Sequence, residues 1–563
     1  MSRIEVPVLI VGAGPVGLMG ALLLARLGME ARILDRRDTP IRAPAAHVVN
    51  ARTFEICRAV GVDMDALAEF ASDPQDAGQA IWVTSLSGEE VGRLPFERQH
   101  DEVLRYTPTP LRNLAQHRFE AVLRDTLPKV GATEVQYGQQ WEGAEQDEEG
   151  VTSRVRDLAT DEVYEIRSRY LIGCDGAGSR IRKSIDVEMV GPQSLQHFVM
   201  IHFGANLRAL VKDRPAVLYW LTDPEMGPAL VAHDIDSEWV YMFPFDPDRE
   251  TESDYSEARC EALVKKALGS DAYPVKVETI STWAMSAQIA ERYRKERIIL
   301  AGDAAHRFPP TGGLGLNGGV QDIHGLVWRL VAIEAGWARP ALLDSYESER
   351  RPVAQKNSEN SLHNAMKMFE VAKAFGMDEE PTSERMNATL ADPEGRARVE
   401  AAIADQAEHF DTLGLQLGFR YEVGAVVPDG TAPPEIDDPV REFVPCGRPG
   451  TRMPHAWIRR DGKRLSTLDL LTLDSFTLIT TSQSDAWEAA VAEIPTVPVQ
   501  YVAIDAASLE DEALWLRDSG IGFEGALLVR PDQHVAWRAS SLPGEPQSAL
   551  HEAIVQIVEG RSS

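Results

Sequence analysis

The sequence predicts a mixed α/β fold with an inserted antiparallel sheet and a small C-terminal α/β unit, and three observations carry that reading. Residues 5–35 run strand, glycine turn, helix, strand, which is one βαβ unit of the required length. Between 195 and 285 the stretches VLYWLT, ALVAHDI, EWVYMFPF and VKVETISTWAM alternate in the manner of antiparallel strands. Late in the chain FTLITT, DAWEAAVAEI, VQYVAID and GALLVRPDQHVAW alternate strand and helix again.

Within the first unit VPVLIV is an apolar strand, and Val16–Leu27 is a helix with few polar positions, hence buried against a sheet. Gly28 stands where a helix C-cap would, and ARILD is the second strand. The pattern from 320 to 375 is helical, and DDPVREFVPCGRPGTRMP reads as a linker.

At 563 residues the chain exceeds a single core. Its formal net charge of −30 repels nucleic acid and anionic membranes, which removes both as partners. Cys57, Cys174, Cys260 and Cys446 lie far apart without a CxxC, which disfavours a metal site or disulfide framework and suits a reducing cytosol. The first apolar run meets a glycine turn too early for a membrane span, so a soluble, cytoplasmic protein is expected.

Three motifs carry chemistry. Gly12-Ala-Gly14-Pro15-Val16-Gly17 follows a strand and opens a helix. Gly12 permits the tight turn, Gly14 lets backbone N–H groups approach a pyrophosphate, and Gly17 allows close helix–strand packing. Asp35, at the end of the next strand, can accept hydrogen bonds from an adenosine ribose, with Arg36 beside it. The second motif, Ala301-Gly302-Asp303-Ala-Ala-His306, follows the apolar RIIL and leads into RFPPTGGLGLNGGVQD. An aspartate there can bond ribityl hydroxyls, and the turn through Pro310, Gly313, Gly315, Leu316 and Asn317 would aim N–H groups at a pyrophosphate or the flavin N1–C2=O edge. This motif points to FAD. The third, around Asp175 in CDGAGSRIR, is again strand, Asp-Gly turn and basic helix start.

Taken in this order, GAGPVG, CDGAGSRIR and AGDAAHRFPP resemble the fingerprints of the FAD-dependent aromatic hydroxylases, the single-component flavoprotein monooxygenases. APAAHVVNARTFEI, PTGGLGLNGGVQD, LLDSYESERRPVA, PGTRMPHAWI and GKRLSTLDLL look like the phenol-hydroxylase branch. The resemblance implies a Rossmann-like FAD-binding domain (1–80, 100–190 and 286–395) and an inserted substrate-binding sheet (81–99 and 191–285). A linker (396–450) and a thioredoxin-like C-terminal domain (451–563) follow, and a homodimer is expected. It further implies hydroxylation of a phenol, ortho to its hydroxyl, through a C4a-hydroperoxyflavin, with O2 and transiently bound NAD(P)H as co-substrates.

By that resemblance His47 matches the histidine that contacts the phenol, where an imidazole of near-neutral pKa suits partial proton removal. The residues alone equally allow a hydrogen bond from His47 to FAD or a loop carbonyl. Asn113 stands where relatives tend to carry Asp, and it can orient a phenol without taking its proton. Gln116 matches a flavin-contacting position. Ala45 replaces the family's usual Arg, so either phosphate support passes to Arg42 or Arg52 or the flavin's mobility differs. Trp220, Trp239, Tyr241, Phe243 and Trp283 lie on the inserted sheet, where aromatic residues are more often core than ligand wall. Other readings share these fingerprints: a monooxygenase acting on a polycyclic aromatic, by hydroxylation, epoxidation or Baeyer–Villiger chemistry, or a flavin-linked dehydrogenase or oxidase.

Overall fold

The computed structural model describes residues 3–131, 134–378 and 381–560, so the outermost ends of the expected first and last domains lie outside it. β1 (Arg3–Val11), α1 (Pro15–Arg26) and β2 (Ala31–Leu34) form the expected βαβ unit. β1 lies parallel to β2 on one side and to Val163–Gly173 on the other, and Ile298–Leu300 adds a further parallel strand. The register pairs Val11 with Gly173 and Gly173 with Leu300, so the strands preceding all three motifs end side by side. Parallel pairing therefore gathers Gly12, Asp175 and Gly302 at one carboxyl edge, where doubly wound sheets bind their ligands. Gly28 adopts the left-handed conformation (φ +70°) just beyond α1, as expected of a residue that ends a helix.

The inserted sheet has seven strands, in the order Lys276–Met285, Gln196–Gly204, Glu238–Phe245, Ala229–Asp234, Leu218–Leu221, Gln79–Val83 and Glu90–Pro95. Strand alternation sends Tyr219, Leu230, Trp239 and Tyr241 into a core closed by Cys260, Val264 and Leu268 of the helix Glu257–Leu268. Trp239 and Tyr241 are thus core residues. The opposite face presents Trp82, Leu218, Val231 and Val240, covered by Val371, Phe375, Val399, Ile403 and Phe410.

The stretch 396–450, expected as a linker, is largely helical before 418 and irregular from there onward. Before that, Pro393–Ala404 and Leu413–Leu417 are helices. The Asp392 carboxylate caps the first of them by accepting from Gly395 N at 2.9 Å, and Pro393 occupies the first helical position. Even the irregular part packs, with Tyr421, Ala425 and Val426 buried.

The C-terminal unit runs β-α-β-α-β-β-α from Phe476 to Val558, with one parallel and two antiparallel strand pairs, a thioredoxin-like arrangement. No helix of the described residues is long and apolar enough to cross a membrane.

Buried ions join this unit to the rest. Glu349 accepts from Arg329 (2.5 Å), from both terminal nitrogens of Arg530 (2.8 and 2.9 Å) and from Ala425 N (2.8 Å). Glu55 takes Arg452 (2.8 and 2.5 Å), Arg52 (2.9 Å) and the Thr107 hydroxyl (2.6 Å). Burial alone would raise the Glu55 pKa, but the Arg452 and Arg52 charges and the Thr107 hydrogen bond outweigh it and hold the carboxyl at about 2. The folded-state value lies below the ordinary 4.5, so Glu55 contributes stability above about pH 5 that is lost as pH falls toward 2. Glu55→Gln is expected to flatten the acid limb of a thermal-unfolding profile, while a retained acid limb contradicts this reading.

Candidate active site

The crease at the carboxyl edge is built from glycines whose missing side chains are required. At Gly12 (φ +105°) a Cβ would lie 2.1 Å from the Cys174 carbonyl oxygen, and at Gly17 1.9 Å from that of Gly12. At Gly14 a Cβ would meet only the Glu120 carboxylate, at 4.0 Å, so this backbone faces open space. Ala13 N donates to Asp35 (2.8 Å), and Arg37, through its backbone and guanidinium, donates to the same carboxylate at 2.8–3.0 Å. Burial would raise the Asp35 pKa, yet these bonds lower it, so the carboxylate stays ionised. The expected neighbour Arg36 is exposed, and the partner is Arg37.

Two helices begin at this crease without a side-chain cap. α1 starts on Gly14 with Pro15 and Val16, and Leu314–Glu334 starts on Gly313 (φ +63°). Their first-turn N–H groups have no intrahelical acceptor and are left for an anion or a polarised carbonyl. A Cβ on Gly315 would meet nothing within 4 Å, whereas one on Gly313 would press on Val48 at 2.7 Å. Leu316 is buried, and Pro310 is exposed at the mouth of the turn. Asp303 is open on one side and crowded by protein on the others, and this burial raises its pKa. Beneath it the buried Asp322 accepts from Arg350 (2.8 Å) and Gly302 N (3.2 Å) and bonds His306 (2.6 Å), so His306 fixes the Gly302–Asp303 turn. Uncapped helix starts with an open glycine at each, donating N–H groups, and an accepting acid beside each are the set that fits FAD.

Some expected residues have other tasks. Both Asp175 oxygens are engaged at the helix Arg180–Ser184, one by the Ser179 hydroxyl (2.5 Å) and one by the N–H groups of Arg180 and Ile181 (2.7 and 3.2 Å). Asn317 accepts from Asn50 N (2.9 Å) and the Thr53 hydroxyl (2.7 Å) and donates to the Val48 carbonyl (2.9 Å), clamping residues 48–53 to its helix. Arg52 is buried in the ion network toward Gln533 and Asp532, which removes it as phosphate support. Arg42 is exposed. Gln116 lies between Ala46 N (3.4 Å) and Glu120, to which it donates at 2.8 Å. Glu120 escaped sequence reasoning, although its spacing four residues after Gln116 on one helix face was a usable signal.

Across the crease, Val48 pairs with Asn113 in a short antiparallel ladder. This brings His47 Nδ1 to 2.9 Å from Asn113 Oδ1. The imidazole stacks on Phe96 at 6.1 Å and meets His233 edge-on at 5.6 Å, so the inserted sheet forms one wall of the site. Burial lowers the His47 pKa, only partly offset by the Asn113 bond, and the ring is neutral at physiological pH. Its Nε2 is bonded to no described residue. Met200, Trp220 and Met242 share the sheet face of Val231 and Val240 and are only part-buried. Among the described residues no group of three or more His, Cys, Asp or Glu is placed to hold a metal ion.

Fold and crease together define a FAD-binding oxidoreductase with His47, Asn113, Phe96 and His233 clustered across from the flavin crease. The FAD binding domain model matches residues 5–361 and the aromatic-ring hydroxylase C-terminal model residues 447–559, and the chain belongs to this family of FAD-dependent aromatic-ring hydroxylases. It is 33% identical to a 2,4-dichlorophenol 6-monooxygenase of Cupriavidus pinatubonensis, over 100% of this chain and 97% of that one. It is 32% identical to the tetracenomycin A2 monooxygenase-dioxygenase of Streptomyces glaucescens, over 99% and 98%. A crystal structure of the flavin-dependent monooxygenase PieE with FAD and substrate superposes with a TM-score of 0.92, at 32% identity over 99% of both chains.

Proposed function

We propose that this chain hydroxylates a phenolic ring, ortho to the hydroxyl, using FAD, NAD(P)H and O2. The single observation that carries the substrate class is His47, a neutral imidazole whose Nδ1 is occupied by Asn113 and whose Nε2 is free to accept. Asp35, the uncapped start of α1 and Asp303 would hold the FAD, with Gly315 and its neighbours at the flavin edge. Bound FAD supplies the reduction by NAD(P)H and the activation of O2.

The chain's own residues do the rest. A phenol has a pKa near that of tyrosine, about 10, and a neutral imidazole does not fully deprotonate it. Nε2 accepting the phenolic proton in a hydrogen bond pushes electron density onto the ring, which makes its ortho carbon a better nucleophile. Phe96 and His233 hold the imidazole in place.

A larger substrate is the second reading, favoured by the part-buried Met200, Trp220 and Met242 along the same face. Free cysteines at all four positions support a reducing, cytoplasmic setting. The test is NAD(P)H oxidation by the FAD-loaded enzyme against a panel of mono- and polycyclic phenols. Acceleration by one-ring phenols is expected, acceleration by polycyclic phenols alone shifts the assignment to the second reading, and none by any phenol removes both.

A further inference from the structure

The buried carboxamide of Gln99 belongs to neither the cofactor crease nor the sheet wall, yet it sits directly behind Asn113. Gln99 and Asn113 are both almost fully buried. Gln99 Nε2 donates to two backbone carbonyls, Ala77 and Phe96, each at 2.9 Å. Its Oε1 accepts from Asn113 Nδ2 at 3.3 Å, and that nitrogen also lies 3.5 Å from the Ala77 carbonyl.

We infer that Gln99 is a positioning residue that sets the tautomer of His47 through Asn113; the inference rests on the proposed role of His47. The logic is one of hydrogen-bond polarity. Two carbonyls 2.9 Å from one end of the Gln99 carboxamide require that end to be the nitrogen, because an oxygen there would face two acceptors inside the protein. The other end is then Oε1, which requires the Asn113 nitrogen opposite it. Asn113 must accordingly present Oδ1 to His47, and an amide oxygen can only accept. His47 Nδ1 therefore carries the proton, and Nε2 carries the lone pair.

The chain of polarity starts at two fixed backbone carbonyls and ends at the nitrogen offered to the phenol. An aspartate at 113 would hold the same tautomer without help, having no donor face to turn. Asparagine has one, and turning it over would convert Nε2 from acceptor to donor. The buried Gln99 removes that ambiguity, which makes the asparagine workable here.

The test reads the tautomer directly. Nitrogen NMR of the FAD-loaded enzyme with isotope-labelled histidine separates protonated from bare ring nitrogens, and His47→Ala assigns the resonance by its disappearance. The expected result is a protonated Nδ1 and a bare Nε2 at neutral pH. Gln99→Leu is expected to populate the opposite tautomer and to lower kcat for the accepted phenol roughly 10-fold, less than the about 10²–10⁴-fold of losing a proton-transfer group. On the Asn113→Asp background the same Gln99→Leu change is expected to leave tautomer and kcat nearly unaltered.

A wild-type enzyme with Nε2 protonated and Nδ1 bare overturns the inference. So does a Gln99→Leu penalty that is equal on both backgrounds, which marks a merely structural role, or a Gln99→Leu variant with an unchanged tautomer. If the tautomer is as inferred and no phenol is turned over, the polarity chain stands and the proposed function falls.

Discussion

His47→Ala is expected to lower coupled hydroxylation by about 10²–10⁴-fold while leaving FAD bound. The large effect follows from position. His47 Nε2 is bonded to no described residue and is the nitrogen proposed to accept from the phenol, whereas Asn113, its partner, is consumed by His47 and Gln99. Truncation removes the acceptor that raises the phenol's nucleophilicity and leaves the cofactor crease untouched, since no residue of that crease bonds the imidazole. NAD(P)H oxidation is expected to persist and to become uncoupled, which product formed per NAD(P)H consumed measures. A variant that keeps full coupling shows that His47 does not act on the substrate.

Glu349→Ala is expected to cost about 3 kcal/mol, because it leaves the buried Arg329 and Arg530 with Asp532 as the one carboxylate between them. It also takes the acceptor from Ala425 N, in the irregular stretch that ties the two halves of the chain. The change is expected to lower the apparent Tm and to open residues 418–450 to proteolysis. Lys266→Ala is the control, since it and its Glu225 partner are both largely exposed and such pairs contribute about 0–1 kcal/mol. Equal effects from the two variants contradict the assignment of the ion network as the fastener of the C-terminal unit.

The FAD crease was legible in the sequence because its signals are local. A glycine that must be a glycine, a helix start and an acid at the next strand end lie within one βαβ unit. The inserted sheet was legible by its period of two. Arg36 was named in place of Arg37 because strand-end geometry decides which of two adjacent arginines turns back onto Asp35. Arg52 looked available for phosphate until the fold placed Glu55 and residues 532–533 against it. Asp175 kept its motif position but lost its oxygens to the helix that follows.

The substrate side was less legible for a physical reason. Gln99 and His233 are ordinary residues in sequence and become site residues only because a strand of the inserted sheet and the loop after Glu90–Pro95 fold back over Val48. The helix beginning at Pro393 was readable in principle from Asp392-Pro393, a cap followed by a first-turn proline, but the Pro- and Gly-rich stretch downstream dominated the composition.

The measurement that tests the central claim most directly is turnover of a phenol under isotopically heavy O2 by the FAD-loaded enzyme with NAD(P)H, with the product read by mass. One heavy oxygen atom on the ring, beside the original hydroxyl, is the result predicted here. A product without heavy oxygen, or phenol recovered unchanged while NAD(P)H is consumed, contradicts it.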